Sequence, residues 1–447
     1  MIIHLSKFFL ALAPLSVVFV ASSTLFPFIG VKAYWFRLCV SLALIAFLGW
    51  VGFQSSNEEI RRLFKQTFSS PLVLAVTIFA VIFVLASVFA YDSSSAFWSN
   101  FERGEGGFQM IYYYLFFLLL VLIGRDKKIW RLFLWTILAA AVFVIGYGFW
   151  GDLSAGGLLS NRFAGSLGNP AYLGSYLLFS LFFAGFLIFD GKTVGWQRFL
   201  LSGLFFLFSL FILFTQTRGA FLGLIVGLAA FLLFVVFQKS VHRRLFLTAV
   251  IVLIIGFSTA VYFRQSPMIK DLPVVGRLFR ISVFDRSVQS RLWVWRTAYE
   301  GFKERPLFGW GPENFAKVFN NRFDTRHFVP AETSDTWYDR AHSVFFDYLV
   351  ETGILGFLSY LGIFAAFYWQ FLSKMRINAE RKFLEADRRG NKQKSMVNSQ
   401  GSIVSNALLF AFPITYLTQG IILFEVLPVY LSFFFFLAFS VYKFQND

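Results

Sequence analysis

The sequence predicts an all-α, polytopic membrane protein of about twelve transmembrane helices, with one large helical loop on the outer face. Three observations carry that prediction. Of 447 residues, 57% are hydrophobic and only 14% are charged, and the mean hydropathy is +0.66. The 64 Phe and 12 Trp exceed what a soluble core of this length needs. Apolar runs of roughly 17–25 residues recur along the chain, the length that crosses ~30 Å of hydrocarbon. Backbone polar groups in lipid must find partners within their own segment, so these runs are expected as helices and not as open strands.

In chain order, spans are expected at 8–29, 33–53, 71–91, 107–124, 130–149, 171–189, 197–214, 219–237, 244–263, 343–370, 404–420 and 424–442. The first has some marks of a cleaved signal peptide, with Lys7 ahead of it and Ala21-Ser22-Ser23 within it. Its apolar run continues through Leu25, Phe26, Phe28 and Ile29, and its loss would break the alternation of charge along the chain, so it is kept as a span. The single cysteine, Cys39, lies inside the second run. That excludes an intramolecular disulfide and a cysteine-based metal site.

Charge asymmetry sets the expected orientation. Twenty-two Lys/Arg fall in the termini and alternate connections, among them Arg61/Arg62/Lys65, Arg125/Lys127/Lys128/Arg131, Lys239/Arg243/Arg244 and the eight between Lys374 and Lys394. The intervening short segments hold five: Lys32, Arg37, Arg103, Arg162 and Arg218. Both termini are therefore expected in the cytoplasm, with residues 264–341 outside. The net charge of +16 then needs no nucleic-acid partner, because much of it is topogenic and the inner part favours anionic membrane lipids.

The chain divides into 1–263 with nine spans, an outer loop or cap at 264–341, and 342–447 with the last three spans and a basic cytoplasmic linker within 371–403. The linker alternates charge, as in Glu380-Arg381-Lys382 and Glu385-Ala386-Asp387-Arg388, and reads as a helical extension with a topological role. The cap has apolar content of its own in Leu278-Phe279, Leu292-Trp293-Val294-Trp295, Phe308, Trp310 and Phe315. Its clearest amphipathic helix is expected at 287–303. Thirteen Lys/Arg against nine Asp/Glu suit an anionic ligand, though weakly.

Four polar constellations interrupt this pattern. Thr215-Gln216-Thr217-Arg218-Gly219 is a short break between apolar runs. Arg218 there either snorkels from a tight turn or faces a polar cavity, where its planar guanidinium suits phosphate. Arg162-Phe163-Ala164-Gly165-Ser166-Leu167-Gly168-Asn169-Pro170 reads as a turn into the next span, with backbone N–H groups near a ligand as the sharper alternative. Arg291 opens the aromatic run to Trp295, and Gly309 and Gly311 flank Trp310 in a tight turn suited to core packing or to the apolar face of a sugar.

The fourth is Asp339-Arg340-Ala341-His342-Ser343, where the cap meets the next span. A helix N-terminus at Asp339 or Ser343 would place His342 where the helix dipole disfavours imidazolium. A neutral ring at pH 7 can accept a proton, as a general base must; the bland alternative is an interfacial histidine that only caps. Asp347 and Glu351 follow on one helix face, and carboxylates at that depth must be paired or line a cavity. An ion pair with an interior arginine and a chemical role are both open.

Taken in order, these pieces resemble the O-antigen ligase and polymerase superfamily of bacterial envelope glycosyltransferases. The resemblance covers 162–365 and rests on Arg162 to Pro170, Thr217-Arg218-Gly219, Arg291, Pro306-Leu307-Phe308-Gly309-Trp310-Gly311, Ala341-His342-Ser343 and Glu351-Thr352-Gly353-Ile354-Leu355-Gly356. It implies a multi-pass protein of the bacterial inner (cytoplasmic) membrane with a metal-independent active site facing outward and no cofactor. The donor would be an undecaprenyl-diphosphate-linked glycan. Arg218 and Arg291 would match the arginines that hold the diphosphate, and His342 the histidine proposed to activate the acceptor hydroxyl. Arg162, Asn169 and Trp310 would join the substrate-binding set, with Gly309, Gly311, Asp347 and Glu351 supporting it. The acceptor would be lipid A–core or another surface molecule in a ligase, a lipid-linked repeat in a polymerase, and a protein hydroxyl in a third version. The chain departs from the pattern at Ser343, where many relatives carry Asn, and this puts the acceptor in doubt. A lipid-linked glycan flippase or other transporter would also explain twelve spans. It should show repeats, broken helices or mid-depth charges, whereas the sequence has no clear repeat and its informative polar residues gather at span ends.

Overall fold

The computed structural model describes residues 2–100, 104–154, 162–238, 243–264, 266, 285–328, 336–389 and 397–446. Leu278-Phe279 of the cap and residues 390–396 of the basic linker lie outside the described residues. All regular structure among the described residues is helical. In chain order the helices are α1 (Ile2–Leu12), α2 (Gly30–Phe53), α3 (Asn57–Phe68), α4 (Pro71–Val88), α5 (Ser93–Trp98) and α6 (Gly107–Ile123). There follow α7 (Lys127–Ser154), α8 (Pro170–Ile188), α9 (Gly195–Phe214), α10 (Arg218–Phe237) and α11 (Arg243–Tyr262). The remainder are α12 (Arg286–Glu304), α13 (Phe315–Asn321), α14 (Val344–Arg389), α15 (Val397–Gly420) and α16 (Leu427–Asn446).

Among the described residues, eight helices are long and apolar enough to cross a membrane: α2, α4, α7, α8, α9, α10, α14 over Val344–Asn378, and α16. The chain is thus a multi-pass, all-helical membrane protein. α6, Phe246–Tyr262 within α11 and the Ile2–Val18 stretch are apolar but shorter, so among the described residues length and composition alone give eight candidate spans where twelve are expected. The expected span 8–29 is not one helix. α1 tightens into a 3-10 turn over Ala13–Val18 with Pro14 in its first turn, and Phe19 is already extended. Proline lacks the N–H that would continue an α-helical ladder there.

The chain forms two compact units. One comprises Met1–Thr136, Ser282–Ala366 and Gly420–Asn446; the other comprises Ile137–Ile281 and Phe367–Gln419. In the first, α16 is almost wholly buried and packs along α6. Tyr113 stacks on Tyr430 with ring centroids 4.8 Å apart, and Trp130 meets Phe435 and Phe439 edge-on. Such pairs add about 0.5–1.5 kcal/mol each beyond burial, and they explain why so many aromatics are needed. In the second unit α8 packs on α9 and α10. Pro170 starts α8 and the Asn169 side chain caps it by accepting from the Ala171 N–H at 2.8 Å.

Candidate functional site

The span expected at 343–370 is a broken helix. Gly353 sits at φ 64° and ψ −168°, which divides α14 into two helical pieces. A break strands carbonyls on one side and N–H groups on the other, and unsatisfied groups of this kind are not tolerated at membrane depth. The segment 306–311 takes up four of them. Trp310 and Gly311 donate their N–H groups to Val350 O (2.9 Å) and Glu351 O (2.8 Å), while Ile354 and Leu355 donate to Pro306 O (2.8 Å) and Leu307 O (3.4 Å). The close approach explains two glycines: a Cβ at Gly309 would lie 2.5 Å from the Glu351 carbonyl carbon, and one at Gly353 would collide with Leu307 O. Trp310 is buried, and its indole donates to Gly301 O at 2.9 Å.

His342 precedes the first helical turn and holds a left-handed backbone, φ 56°, a conformation that costs a non-glycine residue about 1–3 kcal/mol. Its Nδ1 lies 3.1 Å from Arg340 O. A carbonyl only accepts, so Nδ1–H is the donor and the neutral ring carries its lone pair on Nε2. The rings of Tyr338 (5.3 Å) and Phe424 (5.0 Å) meet it edge-on. The cap expected from Asp339 or Ser343 comes instead from one turn ahead, where Asp347 Oδ1 accepts the Ala341 N–H at 2.7 Å. Val344 N–H donates to Leu423 O at 2.9 Å, which ties the helix start to the chain before α16.

Beneath this turn lies a buried charge cluster. Arg340 donates through Nη1 to Glu351 (2.6 Å) and through Nη2 to Glu313 (2.5 Å). Burial opposes the guanidinium's charge, but Glu313 and Glu351 outweigh it and hold Arg340 well above its ordinary range. Glu313 also accepts the Glu105 N–H at 3.2 Å, and Glu105 accepts the Tyr113 hydroxyl at 2.9 Å. Burial pushes the Glu105 carboxyl up to about 8. Of the two carboxylates expected on this face, Glu351 pairs with an interior arginine, Arg340, while Asp347 accepts the Ala341 N–H.

Arg291 lies half-buried on α12. Its neighbour Ser290 bonds the Tyr338 hydroxyl at 2.7 Å and His327 Nδ1 at 3.1 Å. Burial pushes His327 below its ordinary range, and Arg286 and Arg326 act in the same direction against Asp324. Through Tyr338 this small network reaches the His342 ring.

In the second unit, Arg218 is the first residue of α10 and half-buried, after Gln216 at φ 50°. Arg162 donates to Thr215 O at 3.1 Å and to the Thr217 hydroxyl at 3.3 Å, and Thr217 Oγ1 donates to Pro170 O at 3.1 Å. The 162–170 segment is thus laced onto the turn that presents Arg218. Of the expected site residues, His342, Arg291, Gly309, Trp310, Gly311, Asp347 and Glu351 belong to the first unit, and Arg162, Asn169 and Arg218 to the second. Sequence reasoning missed Arg340, Glu313, Glu105 and Glu425. Arg340 was legible, as the nearest cation to a carboxylate pair at the start of a span; the glutamates come from remote segments and carried no local signal.

A family model described as O-Antigen ligase matches residues 203–361. The matched stretch holds Arg218, Arg291, the 306–311 segment, Arg340, His342, Asp347, Glu351 and Gly353, and excludes Arg162 and Asn169. No curated protein matches the chain.

Proposed function

We propose that the chain, whose residues 203–361 match the O-antigen ligase family model, transfers a glycan from undecaprenyl diphosphate to an acceptor hydroxyl on the outer face of the bacterial inner membrane. The observation that carries this reading is the His342 ring, whose Nδ1–H is held by Arg340 O so that Nε2 is the basic atom. His342 Nε2 takes the acceptor proton as the acceptor oxygen bonds to the anomeric carbon. The bond from that carbon to phosphate breaks, the electron pair leaves with undecaprenyl diphosphate, and the anomeric centre inverts. Arg218 and Arg291 hold the diphosphate and offset its charge, and Arg162 and Asn169 set the turn that carries Arg218. With a good leaving group, positioning and charge neutralisation supply the acceleration without a metal.

In this reading Gly309, Trp310, Gly311, Asp347 and Glu351 frame His342. Residues 264–341 are placed outside and both termini in the cytoplasm, the arrangement favoured by the Lys/Arg of the short segments. A ligase passes the glycan to lipid A–core or another surface molecule, and a polymerase passes it to a second lipid-linked repeat. A broken helix is also a mark of transporters. Here the groups freed at Gly353 bond the backbone of 306–311, which favours a structural joint over a transport site. The test is undecaprenyl diphosphate release in nanodiscs from a lipid-linked oligosaccharide with a panel of acceptors, comparing wild type with His342→Ala. Release by wild type alone is expected, with product size separating ligase from polymerase. Equal release by a folded His342→Ala protein would remove His342 from the mechanism.

A further inference from the structure

The charge cluster beneath His342 is out of balance. Glu105, Asp347, Glu351 and Glu425 line one cavity with Arg340 and the hydroxyl-bearing Tyr348 and Tyr430. Glu313 grips Arg340, and Asp339 adds a further like charge near Asp347. Arg340 acts on Glu105, Glu313, Asp339, Asp347 and Glu351, and Arg37 reaches Glu105. Among the described residues, the buried carboxyl groups of Glu105, Glu313, Asp347 and Glu351 gather around the one guanidinium of Arg340, and a buried carboxylate short of countercharge gives up its charge and takes a proton.

A second observation points into the cavity itself. Asp347 is 7% exposed, and while its Oδ1 is bonded to the Ala341 N–H, its Oδ2 has no hydrogen-bond partner among the described residues. The cavity volume is about 20 Å³. A water needs roughly 10–15 Å³ on this measure, so the space suits one water and excludes a sugar ring. Among the described residues, no three acidic groups are arranged to hold a metal ion.

We propose that this cavity is a proton-binding site, in which a water bonded to Asp347 Oδ2 and protons shared among Asp347, Glu351, Glu425 and Glu105 supply the missing positive charge. Glu105, which lies ahead of α6, keeps its proton at neutral pH because burial pushes it up to about 8. The site is independent of the reaction the chain performs. Its consequence is local: the protonated cluster lets Arg340 stay committed to Glu313 and Glu351, and Arg340 O in turn fixes His342 Nδ1. Deprotonation adds competing carboxylates around the same guanidinium.

The sign of the pH effect follows. A carboxyl raised in the folded state stabilises the fold below its unfolded value, and that contribution is lost as pH rises through the folded value. For Glu105 the window runs from 4.5 to about 8. The experiment is infrared spectroscopy of the intact protein in nanodiscs, scanned from mildly acid to mildly alkaline pH, with Asp347→Asn, Glu105→Gln and Glu425→Gln beside wild type. Expected are carboxylic-acid C=O bands at neutral pH that shift in heavy water, disappear on alkalinisation and lose intensity in the variants. Wild type should also melt at lower temperature as pH rises from about 6.5, the ordinary histidine value, towards about 8.

Wild type alone decides the question if a variant fails to fold. Absence of any protonated carboxyl band at neutral pH overturns the proposal, as does a melting temperature that rises across that window. Sodium ions at constant ionic strength form a separate arm. If sodium abolishes the acid bands and raises the melting temperature, the neutralising ligand is a metal cation and the proton assignment fails.

Discussion

The backbone N–H of Trp310 lies 2.9 Å from the carbonyl of Val350, in the turn just before α14 breaks at Gly353. The Pro306-to-Gly311 segment and the Glu351-to-Gly356 segment, about forty residues apart in sequence, are thus two halves of one joint. The joint fixes where Glu351 stands, Glu351 fixes Arg340, and the Arg340 carbonyl fixes the His342 ring.

Gly353→Ala is expected to destabilise the fold. Backbone strain at φ 64° costs about 1–3 kcal/mol, and the new methyl collides with Leu307 O. Thermal melting in detergent measures it, with limited proteolysis at 306–311 reporting whether the joint opens. A variant with wild-type melting and proteolysis would show that the joint contributes little.

Arg340→Gln is expected to be the costliest single change in the cluster. It strands Glu313 and Glu351 without their shared partner, and breaking a buried pair in this way costs about 3–5 kcal/mol. Arg340→Lys keeps the charge, but a point-like ammonium lacks the fork that reaches both carboxylates, so it should fall between. Glu313→Gln leaves the Glu351 pair intact and should cost least. Chemical denaturation ranks the three, and a different order would mean that Arg340 does not organise the cluster.

How much of this was legible in the sequence depends on distance along the chain. Apolar runs located the helices, because the bilayer imposes a length on each. The expected 8–29 run is not one helix, because hydropathy does not register what Pro14 does to a helical ladder. The break at Gly353 was hidden for the same reason: Gly353 and Gly356 sit in an apolar run, and only the hydrogen bonds from 306–311 reveal why the helix parts there. His342 stood out locally, and Arg340, two residues before it, could have been paired with Glu351 on charge grounds. Glu105, Glu313 and Glu425 come from remote segments, and only the packing of the first unit brings them to Arg340.

His327 should make the cap acid-sensitive. Its folded value is pushed below the ordinary one, chiefly by burial, so the unfolded chain binds a proton more readily. Stability is then fully present above about 6.5 and is lost as pH falls from there through the lower folded value. His327→Phe, placed among Trp293, Phe319 and Tyr338, removes the titration. Hydrogen exchange in α12 across that window checks this. Identical acid sensitivity in the variant would assign the effect to other groups.

Arg218→Lys tests the proposed diphosphate contact. Charge-assisted hydrogen bonds contribute about 1.5–3 kcal/mol, and a lysine at the start of α10 keeps the charge but not the planar, two-pronged geometry. Donor KM should rise by about tenfold or more with the melting temperature unchanged. An unchanged KM would place Arg218 outside the donor site.

The His342 backbone allows strain and chemistry to be separated. At φ 56° glycine is at ease and asparagine is tolerated better than most residues, whereas alanine bears the full strain. His342→Gly and His342→Asn should therefore fold as well as wild type or better, and His342→Ala should be no more stable than the glycine variant. All three lack the Nε2 lone pair, so glycan transfer should fall by about 10²–10⁴-fold in each, irrespective of stability. Parallel melting curves and release assays on the three proteins decide it. If activity follows stability and returns in the asparagine variant, His342 shapes the turn and the base lies elsewhere.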